Sequence, residues 1–279
     1  GGMRFVSMGS AEQPILAKSG DNLRIDWGYL YVGVPDNEGS RIAVRPHGAR
    51  GTFADTGEIS QSDDPDMPRP ANENWPVIAC TMDLGGVGSE PVGRTMVLAY
   101  DDVFSIEFMG RQLRPWYDKA LGGFIPMLQD ILGRREAIRR QCSEFDRELL
   151  GDARRLGGED YERLAAISYR HTWASGKITV SPDGSEPWFF HKECFSNGCM
   201  ATVDVSYPAS PFFALFSPAL LNGMCAPVLE YARSDAWPFP FAPHDVGQYP
   251  KGNGQVYSHD RETGKLVTVV DMGDSVHSA

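Results

Sequence analysis

A long stretch of helical periodicity between residues 126 and 157 constrains the fold more than any other feature of this sequence. Pro126 suits the first turn of a helix, and the Gly157-Gly158 pair ends the run. Apolar residues recur between these limits at helical spacing, with charged residues on the other face: Leu128, Leu132, Ile138, Cys142, Phe145, Leu149 and Leu156. The pattern predicts a long amphipathic helix that packs against a neighbouring helical layer.

More helix and a short extended region are predicted after this run. A second helix is expected from about residue 160 to residue 175, followed by an extended region over residues 177–198 with a turn at Pro182-Asp183-Gly184. A proline-punctuated helical segment spans residues 208–231. Near the end of the chain, Glu262-Thr263-Gly264-Lys265 predicts a hairpin.

The first part of the chain has the composition of β-strands. Residues 23–34, 75–84 and 95–99 are rich in aromatic and β-branched residues, and residues 103–108 alternate in polarity. Residues 36–74 are rich in Gly, Pro, Asp and Ser, which predicts a long loop or a mobile insertion. We therefore predict an α+β fold, with a β-rich part over residues 1–116 and a helical part over residues 117–279.

Charge and hydropathy exclude two classes of function. The net charge of −11 opposes nonspecific binding to the phosphate backbone of nucleic acid. No uninterrupted run of about 18 apolar residues is present, so we expect no membrane span. The chain opens Gly-Gly-Met-Arg, which is typical of an internal start or an expression scar, so the missing signal peptide says little about location.

Metal sites and disulfides are not predicted. Five scattered cysteines do not form a disulfide framework, and small buried hydrophobic residues are the preferred interpretation. Cys194 and Cys199 lack the second pair that a zinc site needs. Asp63, Asp64 and Asp66 lack the spacing of a calcium loop, so we expect a solvated acidic loop.

Three blocks between residues 189 and 255 gather carboxylates and an imidazole among aromatics, glycines and prolines. They read Phe-Phe-His-Lys-Glu-Cys-Phe-Ser-Asn-Gly from residue 189, Thr-Val-Asp-Val-Ser-Tyr-Pro from residue 202 and Ala-Pro-His-Asp-Val-Gly-Gln-Tyr-Pro from residue 242. Such groups suit proton transfer in a cleft better than a plain core. We expect Glu193, Asp204, His244 and Asp245 to converge on one site.

Each of these groups also has a structural interpretation. Glu193 is either a cleft carboxylate or a loop carboxylate paired with a lysine, and Asp204 is either functional or a cap for the helical segment that follows it. The bend at His244-Asp245 would present both side chains. Ser196 and Cys199 are conceivable nucleophiles, although neither stands in a nucleophile-elbow pattern.

The same blocks resemble those of the secreted glutaminase A-like family of fungi and bacteria. Arg24-Ile-Asp-Trp-Gly-Tyr-Leu-Tyr31, Asp83-Leu-Gly-Gly-Val-Gly-Ser-Glu-Pro91 and Leu98-Ala-Tyr-Asp-Asp-Val-Phe-Ser-Ile-Glu107 resemble further family blocks, so the resemblance covers roughly residues 3–257. It implies a β-sandwich followed by an (α/α)6 toroid. Family members are much longer, and residues 117–279 supply about four or five helices. We therefore expect the middle part of a longer protein, with an incomplete toroid.

The resemblance implies hydrolysis of the side-chain amide of glutamine to glutamate and ammonia, without a cofactor, outside the cell or in the periplasm. The predicted catalytic residues are Glu193, Asp204 and Asp245, with Glu193 or Asp204 as the base that activates water. The predicted substrate-binding residues are His244, Lys192, Asn197, Arg170 and Tyr207. Lys192 or Arg170 would meet the substrate's α-carboxylate, and Glu193 would meet its amine. The expected partner is a small molecule, glutamine or a sugar.

Two alternatives remain open at this stage. Pro-His-Asp-Val-Gly also resembles a block of retaining toroid β-glucosidases, but the nucleophilic Glu of those enzymes corresponds to Ala201 here. An inverting glycosidase or a sugar-binding remnant survives that objection. The other alternative is an inactive interaction module that self-associates through exposed toroid helices.

Overall fold

The computed structural model describes residues 2–20, 25–194 and 196–256, and the hairpin predicted at residues 262–265 lies outside them. The chain divides into two compact units. Their described residues are 2–15 and 25–102 in the first unit, and 16–20, 103–194 and 196–256 in the second. The domain division predicted after residue 116 stays a prediction, because compact units are not the same as domains.

The first unit is built from five antiparallel strands. They are β1 (Met3–Gly9), β2 (Tyr29–Pro35), β3 (Ser40–Pro46), β4 (Pro76–Met82) and β5 (Val97–Asp101). One sheet has the order β1-β2-β5, and β3 pairs with β4. Val32 and Val34 of β2 share a core with Ile42 of β3 and with Ile78 of β4, so the two sheets pack on common side chains.

The strands predicted over residues 75–84 and 95–99 are confirmed by β4 and β5, and the strand predicted over residues 23–34 is confirmed from Tyr29 onward by β2. The long loop predicted over residues 36–74 is wrong, because this segment contains β3 and helix α1 (Ala49–Thr56). β3 gains its partner from β4, which follows it only after residue 75. A pairing over that distance stabilises a segment whose Gly and Pro content alone indicates a loop.

The acidic cluster at residues 63–66 also differs from the prediction. Asp64 is buried and pairs with Arg69, with Oδ2 at 2.7 Å from Nη1, so a fully solvated loop is wrong for this residue. The backbone N–H of Asp66 and the Arg69 guanidinium hold the pKa of Asp64 below its usual value. Asp63 Oδ1 accepts a hydrogen bond from Val44 N at 2.7 Å. The Asp63 carboxylate therefore anchors the segment to β3, and the Asp64 carboxylate holds Arg69 within the segment.

The second unit contains two small sheets at its described positions. Its strands are β6 (Ile106–Phe108), β7 (Arg111–Leu113), β8 (Gly176–Val180), β9 (Pro187–His191) and β10 (Lys251–Gly252). β6 pairs antiparallel with β7 and parallel with β10, and β8 pairs antiparallel with β9. The hairpin of β8 and β9 confirms the extended region and the turn predicted at residues 182–184.

The described residues of the second unit also form the helices α2 (Trp116–Leu121), α3 (Phe124–Ala174), α4 (Val203–Phe216) and α5 (Pro218–Arg233). Gly158 interrupts α3 with φ 77° and ψ −167°, which confirms the predicted break between two helices. Pro218 occupies the first turn of α5 and separates it from α4. The predicted α+β fold class is thereby confirmed: β1 to β7 precede the long helix α3, and the β8–β9 hairpin and β10 follow it.

The core of the second unit lies between β9, α4 and α5. Phe189, Phe213 and Met224 are buried against one another, and Trp173 from the end of α3 packs on them. Gly223 allows α5 to approach β9 closely, because a Cβ atom there would lie 2.5 Å from the carbonyl oxygen of Pro187. This core holds the end of β9 and the start of α4 in place.

Two further expectations concern cysteines and membranes. The five cysteines are free thiols; Cys199 is buried, but Cys142, Cys194 and Cys225 are exposed, so the preferred interpretation as buried hydrophobic residues is wrong for these three. Among the described residues, every helix is too short or too polar to cross a lipid bilayer.

Candidate functional site

The candidate site is formed by two segments of the second unit that lie side by side. One runs from the end of β9 to the start of α4, and the other covers residues 243–256. Met200 N donates to Gly247 O at 2.9 Å, and Val246 N donates to Met200 O at 3.0 Å. Val203 N donates to the His244 carbonyl oxygen at 2.9 Å. These backbone bonds bring residues 193–204 next to residues 244–256.

Asp245 is a fully buried carboxylate at the centre of the second segment. Its Oδ1 accepts hydrogen bonds from Gly247 N at 2.9 Å and from Val256 N at 3.1 Å. Its Oδ2 lies 3.1 Å from Nδ1 of His244. Buried charges are stable when such donors surround them, and Asp245 therefore orients the imidazole.

His244 lies between Asp245 and Asp204. Its Nε2 is 3.7 Å from Oδ1 of Asp204, which is longer than a hydrogen bond. The hydrogen bond with Asp245 is the largest cause of a raised His244 pKa, and the charges of Asp245, Asp204 and Glu193 add to it against the opposing effect of burial. The ring therefore binds a proton more readily than a free imidazole, and its Nε2 faces Asp204.

Asp204 lies in the first turn of α4, with its side chain 61% exposed. The residue at the cap position is Thr202, and no side chain caps the helix N-terminus, so the alternative that Asp204 is the cap is wrong. A carboxylate in the first turn interacts favourably with the helix dipole. Asp204 is thus an accessible carboxylate held beside an imidazole.

Glu193 is oriented by its own loop. The Ser196 hydroxyl donates to Oε1, and Asn197 Nδ2 donates to Oε2 at 3.0 Å. Asn197 Oδ1 in turn accepts the backbone N–H of Cys199 at 2.8 Å. Both ends of the Asn197 amide are therefore engaged in positioning Glu193, and a substrate-binding role for Asn197 stays a prediction.

Cys199 and Ser196 do not have the surroundings of activated nucleophiles. The Cys199 thiol is fully buried, and burial, followed by the charges of Asp245, Glu193 and Asp204, raises its pKa. A thiol that stays protonated is a poor nucleophile. The Ser196 hydroxyl donates to Glu193 and, among the described residues, makes no hydrogen bond with a histidine that could activate it.

The remaining predicted binding residues are distributed less tightly. Lys192 lies next to the site, with Nζ 5.4 Å from the centre of the Tyr249 ring. Tyr207 is 83% exposed on α4. Arg170 is exposed on α3, and within the described part of the chain it makes no hydrogen bond or ion pair with Glu193 or Asp204. Lys192 thus precedes Glu193 in the site loop and faces Tyr249, whereas Arg170 lies on helix α3.

Two buried residues of the site were not singled out by the sequence analysis. Gln255 Oε1 accepts the backbone N–H of His244 at 2.7 Å, and Gln255 N donates to the Tyr231 hydroxyl oxygen at 3.3 Å. Tyr231 belongs to α5, so these bonds join a helix to the His244 segment. No local signal marks either residue, since each acts through a contact far along the chain.

The site offers acid, base and hydrogen-bonding groups for proton transfer. Within the described ranges, no group of three or more His, Cys, Asp or Glu side chains is arranged to hold a metal ion. Ala201, where the resembling β-glucosidases carry their nucleophile, is fully buried with φ 51°. That backbone position therefore carries no carboxylate into the site.

Comparison with known proteins identifies both halves of the chain. Residues 1–152 match a domain of unknown function (DUF5127), and residues 158–271 match the glutaminase A six helical-hairpin domain. Glutaminase A of Aspergillus oryzae is 29% identical over 244 residues, which cover 85% of this chain and 35% of that protein. A probable glutaminase of Arthroderma benhamiae is 25% identical over 246 residues, which cover 81% of this chain and 27% of that protein. The chain thus spans about a third of the length of these relatives or less.

Proposed function

The chain belongs to the glutaminase A family, and we propose that it carries part of the active site of an enzyme that hydrolyses the side-chain amide of L-glutamine to glutamate and ammonia. The observation that carries the proposal is the row formed by Asp245, His244 and Asp204. It combines a buried carboxylate, an imidazole with a raised pKa and an accessible carboxylate. His244 Nδ1 lies 3.1 Å from Asp245 Oδ2, and His244 Nε2 lies 3.7 Å from Asp204 Oδ1.

In the proposed reaction, Asp204 acts as the general base. Its carboxylate is solvent-accessible, so it can take a proton from a water molecule that attacks the amide carbon. The proton then passes to the leaving nitrogen, which departs as ammonia. No covalent intermediate is needed, in agreement with the unfavourable surroundings of Cys199.

His244 stabilises the charge that develops during this reaction. As a cation it donates from Nε2 toward the amide oxygen, where negative charge builds up in the tetrahedral intermediate. Asp245 holds the ring so that Nδ1 is engaged and Nε2 remains available. This arrangement requires protonated His244, so activity should fall as the pH rises through the His244 pKa.

Glu193 and Lys192 supply the charges that an amino acid substrate requires. The Glu193 carboxylate is fixed by Ser196 and Asn197 and would attract the α-ammonium group. The neighbouring Lys192 would attract the α-carboxylate. Arg170 and Tyr207 stay predicted contacts of the substrate.

The proposed location outside the cell or in the periplasm rests on the family resemblance. A natural protein found only in the cytosol would contradict this proposed location.

The proposal is tested by ammonia release from L-glutamine in the natural protein at its full length. Asp204→Asn should lower kcat/KM by about 100-fold or more, the usual contribution of a general base. Asp235→Asn, which changes another exposed carboxylate of the same unit, is the matched control and should keep the activity of the wild type.

An aryl β-glucoside provides the competing substrate. Hydrolysis of the glucoside with no ammonia from glutamine would favour the glycosidase alternative and overturn the proposal. Full glutaminase activity in Asp204→Asn would leave the enzyme class intact and remove Asp204 as the base.

A further inference from the structure

The backbone of His244 is tied to helix α5 through two buried side chains. Gln255 is 3% exposed, and its Oε1 accepts the His244 N–H at 2.7 Å. Tyr231 is also 3% exposed, and its hydroxyl oxygen accepts the Gln255 N–H at 3.3 Å. The two hydrogen bonds form a continuous path from α5 to His244, and buried bonds of this kind resist rearrangement because breaking one leaves a buried group unpaired.

Val256, the residue that follows Gln255, contacts Asp245, which is hydrogen-bonded to the His244 ring. Val256 N donates to Asp245 Oδ1 at 3.1 Å. Residues 255 and 256 therefore contact His244 and Asp245 at the same time, one through a side chain and the other through its backbone. A displacement of this short segment would move the imidazole and the buried carboxylate relative to each other.

We propose that Gln255 is a positioning residue that holds His244 in register with Asp245 and Asp204, with Tyr231 as its anchor on α5. Gln255 acts through the backbone of His244 and does not itself contact the reacting atoms. This role rests on the proposed function only for its consequence in catalysis. The positioning itself is a property of the folded protein.

The charged groups that face the His244 ring come from three elements. Asp245 lies on its own segment, Asp204 on α4, and Glu193 on the loop after β9. All three favour the cationic ring, and Asp245 does so mainly through its hydrogen bond. Loss of the Gln255 contact should weaken that bond, so His244 should lose its proton at a lower pH than in the wild type.

The test compares Gln255→Leu with Gln255→Glu in the natural protein. Leucine removes the acceptor, and we expect kcat/KM for glutamine to fall about two- to tenfold, the factor that corresponds to one typical hydrogen bond. The alkaline limb of the pH profile should also move to lower pH. Glutamate keeps an oxygen acceptor, so it should restore kcat/KM to within about twofold of wild type. Tyr231→Phe should move the limb in the same direction as leucine.

Asn253→Ala is the matched control from the same segment. Its side chain forms hydrogen bonds with Glu107 and with Gly110 N instead of with His244 or Asp245. The alkaline limb of the pH profile should therefore stay in place. A thermal melt of each variant verifies folding.

The second readout is independent of catalysis. NMR titration of isotope-labelled histidine, with His244 assigned by the signal missing in His244→Ala, reports the ring directly. A His244 titration that is unchanged in folded Gln255→Leu would overturn the positioning role, whatever the activity. If the titration moves but glutamine is not hydrolysed even by the wild type, the positioning role stands and the proposed function fails.

Discussion

Asp245 controls the charge of the site from a fully buried position. Its two oxygens are held by two backbone N–H groups and by the His244 ring. The hydrogen bond and the charge of this carboxylate raise the pKa of the His244 imidazole above that of a free histidine. The buried carboxylate thus acts on the candidate site through its neighbour.

The Asp245→Asn variant separates this charge from the backbone bonds, since asparagine keeps an oxygen acceptor. A raised histidine pKa stabilises the fold fully below the unfolded-state pKa of about 6.5, and the contribution is lost as the pH rises through the folded-state pKa. Urea unfolding should therefore show a deficit for the variant that is largest at acidic pH and shrinks at alkaline pH. Asp235→Asn should show no such trend. An equal deficit at all pH values would contradict the pairing.

The gathering of Glu193, Asp204, His244 and Asp245 could be predicted from the sequence because each lies in a short, distinctive block. The separate role of each group could not be predicted. Which ring nitrogen faces which carboxylate depends on backbone bonds between segments some 40 residues apart, such as Val203 to His244. Gln255 and Tyr231 escaped prediction because no local motif marks their hydrogen bonds, which join positions 11 and 24 residues apart.

At the level of helices and strands, local patterns predicted those elements whose stabilising signal is local. The break at Gly158 and the hairpin of β8 and β9 carry their own glycine and turn residues. β3 was missed because its partner β4 lies beyond a long Gly- and Pro-rich segment. Its sequence Ser-Arg-Ile-Ala-Val-Arg-Pro becomes a strand through that distant pairing.

Helix α5 packs closely on β9, the strand that leads into the site, and Gly223 makes this close packing possible. Gly223→Ala would place a Cβ atom 2.5 Å from the Pro187 carbonyl oxygen, so we expect a loss of about 1–3 kcal/mol in the free energy of unfolding. Gly133→Ala is the control, because open space surrounds this helical position, and it should stabilise by about 0.5–1 kcal/mol. Denaturant titration measures both, and equal effects would show that the contact is not tight.

At the scale of the molecule, the described helices of the second unit expose large apolar side chains to solvent. Leu156 is 81% exposed, Leu164 58% and Ile167 54%, all within α3. Exposed apolar surface of this kind favours association. The family's six-hairpin domain, matched over residues 158–271, explains why a helical layer is present without showing what covers this face.

We predict that the 279-residue chain by itself self-associates at micromolar concentration. Leu156→Glu combined with Leu164→Glu should shift it toward a monomer in size-exclusion chromatography, because each change places a charge on the apolar face. Arg163→Glu, a neighbouring polar position, is the control for added negative charge. A wild-type chain that elutes as a monomer and melts in one sharp transition would contradict the prediction.

The central claim is that the groups around His244 hydrolyse glutamine, and its most direct measurement is steady-state ammonia release from L-glutamine by the natural protein and by Asp204→Asn. The account predicts clear turnover by the wild type and a loss of about 100-fold or more in the variant. An absence of ammonia from the folded wild-type protein, with glutamine at saturating concentration, would contradict it.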